Sequence, residues 1–333
     1  MRGGALVTGA SGFVGRHLLR ALAADGTPVT ALCRRPEALA DLAGGPVAVE
    51  AVDLRDAGAV TRLLAGVDTV FHLAAIRNGA GAPAKELHEV NERLTIDLAR
   101  RAAEAGVRRF VHASTALVFG PSALPLDEGA PLVVDDAAAG PYVGSKARAV
   151  ETLRALRRDG APVAIVHPAI VYGPDHPSHP NRVTARIRTM LRRRREIVLG
   201  GGRVERDLVH VDDVVAALRA MADRATERQE VVAAAGPLSH RALAGLVARA
   251  SRRPAPLLLS LPVPVAQLAA RVADLLHRRD SRTGTARAVW TLARPWRFSP
   301  DGLRELLGRE PLSADVGVAR TVEWIERIDP FRA

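Results

Sequence analysis

Short apolar runs alternate with amphipathic stretches through the first 170 residues of the chain. That rhythm is the one βαβ units produce when they feed a parallel sheet. The apolar runs predict strands over 4–8, 28–33, 47–51, 67–73, 107–113 and 162–167, and the stretches between them predict helices near 12–24, 57–65, 84–105 and 141–158. Beyond Gly173 the pattern turns irregular, with Gly173-Pro174, Pro177, Pro180 and Gly200-Gly201-Gly202 marking loops around short elements. The expected fold class is α/β: a Rossmann-type doubly wound parallel sheet over 1–173, followed by a smaller mixed α/β substrate-binding region over 174–333. Within that second part, 203–235 is expected to return to the sheet, and the proline-rich 173–180 loop is the seam. The most apolar stretch, Pro256 to Leu276, contains Pro262, Pro264, Gln267, Arg271 and Asp274. It reads as an amphipathic helix after a proline-rich approach and as a poor membrane span.

Composition narrows the classes. The chain has 333 residues, 48% of them hydrophobic, which suffices for one large α/β unit with an extension. A net charge of +11 invites a nucleic-acid reading, but the arginines are scattered through every predicted helix among 36 acidic residues, as on a solvated surface. The densest run, Arg192 to Arg195, reads as a polar helix end. The single cysteine, Cys33, excludes a disulfide framework and a multi-cysteine metal site. The ten histidines show no metal spacing. With a strand predicted almost at the first residue no signal peptide is expected, and a reducing cytoplasmic setting is the corresponding expectation.

The first strand runs into Gly9-Ala10-Ser11-Gly12-Phe13-Val14-Gly15 and then a helix. Gly9 permits the tight turn, Gly12 lets a pyrophosphate approach the backbone, and Gly15 lets the helix pack on the strand. In this strand–turn–helix setting the motif predicts dinucleotide binding. A chain selecting NAD usually has Asp or Glu at the end of the second strand, whereas here Cys33 is followed by Arg34 and Arg35. A guanidinium grips a 2′-phosphate that a carboxylate would repel, so NADP(H) is preferred over NAD(H). Asp53, in Asp53-Leu54 after the third strand, either meets the adenine amino group or caps the following helix.

Only two tyrosines and two lysines occur, and one of each sits four positions apart in Tyr142-Val143-Gly144-Ser145-Lys146. By chance such a pair arises in about one such chain in eighty. On a helix, i and i+4 share a face, so phenol and ammonium converge, and the cation pulls the phenol towards the working range of an acid/base catalyst. The alternative is an exposed helix pair without chemistry.

The glycine motif, Asp53-Leu54, His72-Leu73-Ala74-Ala75, Ser114-Thr115-Ala116-Leu117-Val118-Phe119-Gly120 and Tyr142-x-x-x-Lys146 follow in order, then His167-Pro168-Ala169-Ile170-Val171-Tyr172-Gly173-Pro174 and Arg206-Asp207-Leu208-Val209-His210-Val211-Asp212-Asp213. Together they resemble the extended short-chain dehydrogenase/reductase family, of the NAD-dependent epimerase/dehydratase kind, over nearly the whole chain. The resemblance implies Tyr142 as general acid/base, Lys146 as holder of the nicotinamide ribose that lowers the Tyr142 pKa, Thr115 on the reacting oxygen and Asn91 in support. It also implies cofactor contacts from Ser11, Phe13, Val14, Leu54, Leu73, Ala74, Ala75, Ser114, His167, Pro168 and Ile170, and a homodimer formed through the helices that include the Tyr142 segment.

Three readings of the reaction stay open. Dehydratases of the family resemble one another in an Asp-Glu pair after the threonine; Ala116 and Leu117 stand there, which argues against water loss. Epimerases usually hold NAD through an acid after the second strand, and Cys33-Arg34 departs from that. A run from Leu292 to Ser299 resembles 3β-hydroxysteroid dehydrogenase-like and dihydroflavonol reductase-like members, which favours an oxidoreductase on a steroid-, terpenoid-, polyketide- or flavonoid-like carbonyl. Arg206 matches an arginine that contacts diphosphate in sugar-nucleotide members, which keeps a 4-ketoreductase or epimerase open; otherwise it is a structural arginine paired with an acidic neighbour. The third reading is a non-catalytic NADP sensor.

Overall fold

A computed structural model of the protein describes residues 4–77, 82–177, 179–193, 195–223, 225–276 and 285–328. Five strands of the main sheet come from the first third of the chain: β1 (Gly4–Thr8), β2 (Val29–Cys33), β3 (Val47–Ala51), β4 (Val67–His72) and β5 (Arg109–Ala113). Val163–Pro168 and Glu230–Ala233 complete it, in the spatial order Glu230–Ala233, Val163–Pro168, β5, β4, β1, β2, β3. Every neighbouring pair is parallel. The chain therefore builds outward from β1 to β3, then crosses back to β4 on the other side. In an open α/β sheet, that reversal opens a crevice at the carboxyl ends of β1 and β4, where ligands bind.

Parallel strands are covered on both faces, and the sequence supplies two apolar layers. On one face Leu18, Leu19 and Leu22 of α1 (Phe13–Ala24) cluster with Val214 and Leu218 of the helix Val211–Ala222. On the other, Leu98 and Ala102 cluster with Val150 and Leu153 of the helix Pro141–Arg158. Each fully buried leucine contributes about 1.5–3 kcal/mol, so either layer alone outweighs any single polar contact in the molecule.

The predicted 84–105 helix is interrupted by one wide turn of π-helix, Glu89–Arg93, between Ala84–His88 and Leu94–Glu104. Glu230–Ala233 is pinned to the sheet edge through Glu230, which accepts from His167 Nε2 at 2.8 Å and Arg154 Nε at 3.0 Å and also meets Arg157. Burial pushes that carboxyl up, but the His167 and Arg154 hydrogen bonds overcome it and hold the group down at about 2. The proline-rich segment is tied down at both ends. His17 Nε2 of α1 donates to Pro174 O at 2.7 Å, and Asp175 pairs with Arg188 while accepting from Asn181 N.

Outside the main sheet lies a second one, ordered Pro237–Ser239, Glu205–His210, Trp296–Phe298, Ser122–Leu126, with Ile170–Tyr172 pairing Glu205–His210. A two-stranded ribbon pairs Leu257–Leu261 with Arg195–Leu199. The helix expected after the proline-rich approach is present, and the approach itself holds a strand that the apolar run did not announce. Residues 257–261 are a strand, and the helix begins at Val263, because a short apolar run has no period that distinguishes the two.

Candidate active site

The crevice at the sheet reversal is lined by backbone before any side chain enters it. Gly9 has φ +66°, the left-handed region, and a Cβ there would lie 2.6 Å from Ala74 N. A Cβ on Gly15 would overlap Gly9 O and stand 2.8 Å from Ala10 O, so α1 comes within backbone contact of the turn. Leu73 N donates to Thr8 O at 3.1 Å and Ala74 N to Thr8 Oγ1 at 3.3 Å, which joins the ends of β1 and β4. Gly12 caps α1 without a side-chain hydrogen bond, and the first turn holds no acid. Its N–H groups are therefore aimed at an anion, with Ser11, Phe13, Val14 and Ala75 partly buried around them. These residues fit a dinucleotide diphosphate.

At the end of β2 the Cys33 side chain is buried, while Arg34 and Arg35 are exposed and show no side-chain partner among the described residues. The field of this rim is basic. Burial, then the charges of Arg77, Arg35 and Arg16, hold His179 below its ordinary value. Asp53 accepts from Arg55 N at 2.9 Å and meets the Arg55 guanidinium. It does not cap the next helix; Asp56 does, accepting from Ala59 N at 2.9 Å, because the helix starts three residues later than that alternative required. Leu54 packs against the core beneath.

The helix carrying the tyrosine starts at Pro141, whose missing N–H costs nothing at a first helical position. One turn apart on its inner face stand Tyr142 and Lys146. Thr115 stands beside Tyr142, close enough for its hydroxyl to favour the phenolate. Lys146 is 1% exposed, with Nζ donating to Ala113 O at 3.1 Å. Ser114 Oγ is buried beside them without a partner among the described residues. Ser145 Oγ donates to Tyr142 O at 2.9 Å and steadies the first turn.

The electrostatics here differ from the expectation that Lys146 lowers the Tyr142 pKa. Burial pushes the phenol up to about 12, and the opposing influences come from the Thr115 hydrogen bond and the Arg77 charge. Burial also pulls the Lys146 amine down to about 7, so near neutral pH it carries its charge only part of the time, and it is not among the influences that move Tyr142.

Asn91 touches neither Tyr142 nor Lys146 by any hydrogen bond among the described residues. Fully buried in the π turn, it accepts from Ile76 N at 2.8 Å and donates to Ile76 O at 3.0 Å, clamping the loop after β4 in both directions. A chain of hydrogen bonds continues from it. Thr95 Oγ1 donates to Asn91 O at 3.0 Å, so it accepts from His72 Nε2 at 2.9 Å, which leaves His72 Nδ1 to accept from Thr8 Oγ1 at 2.7 Å. Burial, followed by the charge of Lys146, holds His72 down at about 3, and the neutral ring keeps one tautomer. Sequence reasoning missed this network and missed Arg77, which follows the clamped Ile76; one exposed arginine among so many carries no signal in the sequence.

Other expected residues stand apart. His167 is buried against Glu230 and Phe119, whose ring lies 4.9 Å from its own, and Pro168 ends its strand. Ile170 is partly buried in the short strand that pairs Leu208. Arg206 lies in the second sheet, opposite Leu238 and Trp296. The alternative of an acidic partner for it is not met: Glu205 and Asp207 both pair with Arg297, and the charge that most affects Arg206 is Arg186.

A glycine-lined crevice at the reversal of a parallel sheet, with Thr115, Tyr142 and Lys146 converging beside it, defines a nucleotide-dependent oxidoreductase class. The model of the NAD dependent epimerase/dehydratase family matches residues 5–235. The chain belongs to that family and is an NAD(P)-dependent oxidoreductase of the extended short-chain dehydrogenase/reductase type. It is 29% identical over 311 residues to 4-hydroxy-2-methyl-3-oxo-4-farnesyl-3,4-dihydroquinoline-1-oxide ketoreductase of Stigmatella aurantiaca, covering 91% of this chain and 90% of that one. It is 33% identical over 282 residues to dTDP-4-dehydro-6-deoxy-D-allose reductase of a Streptomyces species, covering 78% and 85%. Among solved structures, a double mutant of DesIV, the dTDP-glucose 4,6-dehydratase of Streptomyces venezuelae, with NAD bound, superposes with a TM-score of 0.75 at 26% identity over 98% of each chain.

Proposed function

We propose that this enzyme is an NADP-dependent oxidoreductase that interconverts a carbonyl and a secondary alcohol on a small hydrophobic substrate, with Tyr142 as the proton donor and acceptor. One observation carries the reading: Tyr142 stands beside Thr115, with Lys146 one helical turn away and bonded to Ala113 O at the carboxyl end of β5. The glycine turn and the start of α1 would hold the diphosphate, and the unpartnered Arg34 the 2′-phosphate. When bound, the reduced nicotinamide supplies a hydride to the carbonyl carbon. Tyr142 donates its proton to the carbonyl oxygen as charge builds there, and Thr115 Oγ1 hydrogen-bonds the same oxygen. A phenol held near 12 stays protonated at neutral pH, which suits the direction of reduction. Lys146, when protonated, steadies the phenolate left behind and returns a proton to it.

Ala116 and Leu117 occupy the positions after Thr115 with no carboxyl group to assist water loss. They belong to a buried apolar cluster with Val118, Phe119, Trp290 and Trp296, and support for an apolar carbonyl compound comes from the ketoreductase relative, which acts, by its name, on a farnesylated one. The proposal includes a cytoplasmic homodimer paired through the helices that include the Tyr142 segment, Pro141–Arg158. A second reading, reduction of a nucleotide-linked sugar, is favoured by Arg206, which has no acidic partner among the described residues, and by the dTDP-sugar reductase relative.

The test follows consumption of NADPH and NADH with a panel of apolar ketones. NADPH should bind at least tenfold more tightly, roughly the value of one bidentate phosphate contact, and Arg34→Ala should erase that difference. Equal affinities in the parent enzyme would sink the NADP assignment. Thermal stabilisation by TDP, UDP or GDP would move the substrate to the sugar class.

A further inference from the structure

The helix Val263–Leu276 is amphipathic in the wrong sense for a core helix. Its buried residues are Ala266, Ala270 and Asp274. Asp274 accepts from Thr285 N and Ala286 N, each at 2.8 Å, and so locks the helix Thr285–Leu292 against that small-residue face. Its large apolar side chains point the other way: Val265, Leu268, Val272, Leu275 and Leu276 are 48–78% exposed. Their spacing of three and four residues puts them on one stripe. The preceding strand runs into this helix across Pro262 and exposes Leu257 and Leu259, with Ile197 exposed opposite Leu259. Exposed apolar residues scattered singly are ordinary, whereas a contiguous stretch marks a surface with an occupant.

The charge around the stretch identifies that occupant. A cleft of roughly 570 Å³ beside Ile197 and Leu259 is lined by Arg182, Arg186, Arg193 and Arg195. Its one acid, Glu196, already pairs with Arg186 and His240. Arg271 is exposed on the helix itself, and the chain carries a net charge of +11.

We propose that this face seats the enzyme on an anionic lipid bilayer, with Val263–Leu276 lying in the plane of the interface, its apolar stripe among the acyl chains and the neighbouring arginines on the headgroups. The helix has 14 residues, about 21 Å at 1.5 Å each, too short to cross a hydrocarbon core of about 30 Å. No described helix is long and apolar enough to cross a membrane. A second copy fits this face poorly, because a two-fold contact uses the same patch on both subunits and would set arginine cluster against arginine cluster. Arg287 of the helix Thr285–Leu292 donates to Ala139 O, just before the helix of Tyr142. The inference rests on the exposed surface alone and holds whichever carbonyl is reduced.

The full chain should float with vesicles of phosphatidylcholine and phosphatidylglycerol and remain behind with phosphatidylcholine alone. Leu268→Glu/Leu275→Glu should weaken vesicle binding by about tenfold or more. Arg193→Gln/Arg195→Gln should weaken it by about tenfold. All four side chains are exposed, so the melting temperature should stay unchanged and report that the fold is intact. Absence of flotation, or equal flotation of parent and Leu268→Glu/Leu275→Glu, overturns the proposal. So does a parent oligomer that Leu268→Glu/Leu275→Glu dissolves without any vesicle binding, since a second copy would then be the occupant.

Discussion

The turn from Gly9 to Gly15 and the helix Val263–Leu276 are both short segments facing outward, and they face outward with opposite materials. The turn presents backbone N–H groups, and every element around it is held by buried contacts: Gly9 against Ala74, Thr8 against His72, Asn91 against Ile76. The helix presents leucine and valine, and its inward face is alanine and one aspartate. Backbone geometry tolerates almost no substitution, so a site built from it is rigid and marked in the sequence by glycine. A side-chain surface tolerates many substitutions, and nothing marks it until the fold shows which face is turned out.

The largest expected effect tests the rigid side. Tyr142→Phe keeps the ring and removes the proton, so single-turnover measurements should show reduction slowed by about a thousandfold with NADPH affinity intact; persistence of the parent rate would move the acid elsewhere. Gly15→Ala should cost about 2–3 kcal/mol in urea unfolding and weaken cofactor binding, since its Cβ would meet the backbone oxygens of Gly9 and Ala10, which cannot give. A neutral unfolding result there would mean that α1 can slide away from the turn.

Lys146 sharpens the comparison through pH. Its value is near 7 in the folded protein against 10.5 for the free amine. Between those values the unfolded chain binds the extra proton, so the parent gains stability as pH rises through the window, and the burial penalty is fully present below 7. Lys146→Met should therefore abolish turnover yet raise stability at pH 7 by on the order of 2 kcal/mol, with the gain shrinking towards pH 10. A constant gain across that range would show that the folded amine holds its proton as the free amine does, with no lowering by burial. The smallest effect lies in the second half of the chain. A Cβ on Gly245, inside the helix His240–Ser251, would meet nothing within 4 Å, so Gly245→Ala should stabilise by about 0.5–1 kcal/mol. A loss there would show the cap to be packed as tightly as the turn.

The two halves also differ in how much of them was legible. The apolar runs over 28–33 and 162–167 became strands Val29–Cys33 and Val163–Pro168, because buried parallel strands need unbroken apolar side chains on both faces. Ile170–Tyr172, Pro237–Ser239 and Trp296–Phe298 have three residues each and exist only through partners far along the chain, so no local pattern announces them. Leu257–Leu261 stays hidden within the apolar stretch for a related reason: five residues of one character fit either period.

At the candidate site the division is one of geometry against environment. Spacing alone put Tyr142 and Lys146 on one helical face, and the order of glycines alone required a turn whose backbone can approach a phosphate, because helix period and glycine sterics are local properties. Sequence placed Thr115 in the same motif series, but its approach to Tyr142 depends on β5 and the helix Pro141–Arg158 packing together. The same packing buries both titrating groups, which turned an expected lowered phenol into one held near 12 and an expected standing ammonium into one near 7. Asn91 and Arg206 were matched by position, yet what each touches was decided by residues distant in sequence: Ile76 for Asn91, and Arg297 taking the acids that flank Arg206. Local chemistry is written along the chain; burial and partnership are sums over the whole fold, and only the tertiary structure performs that sum.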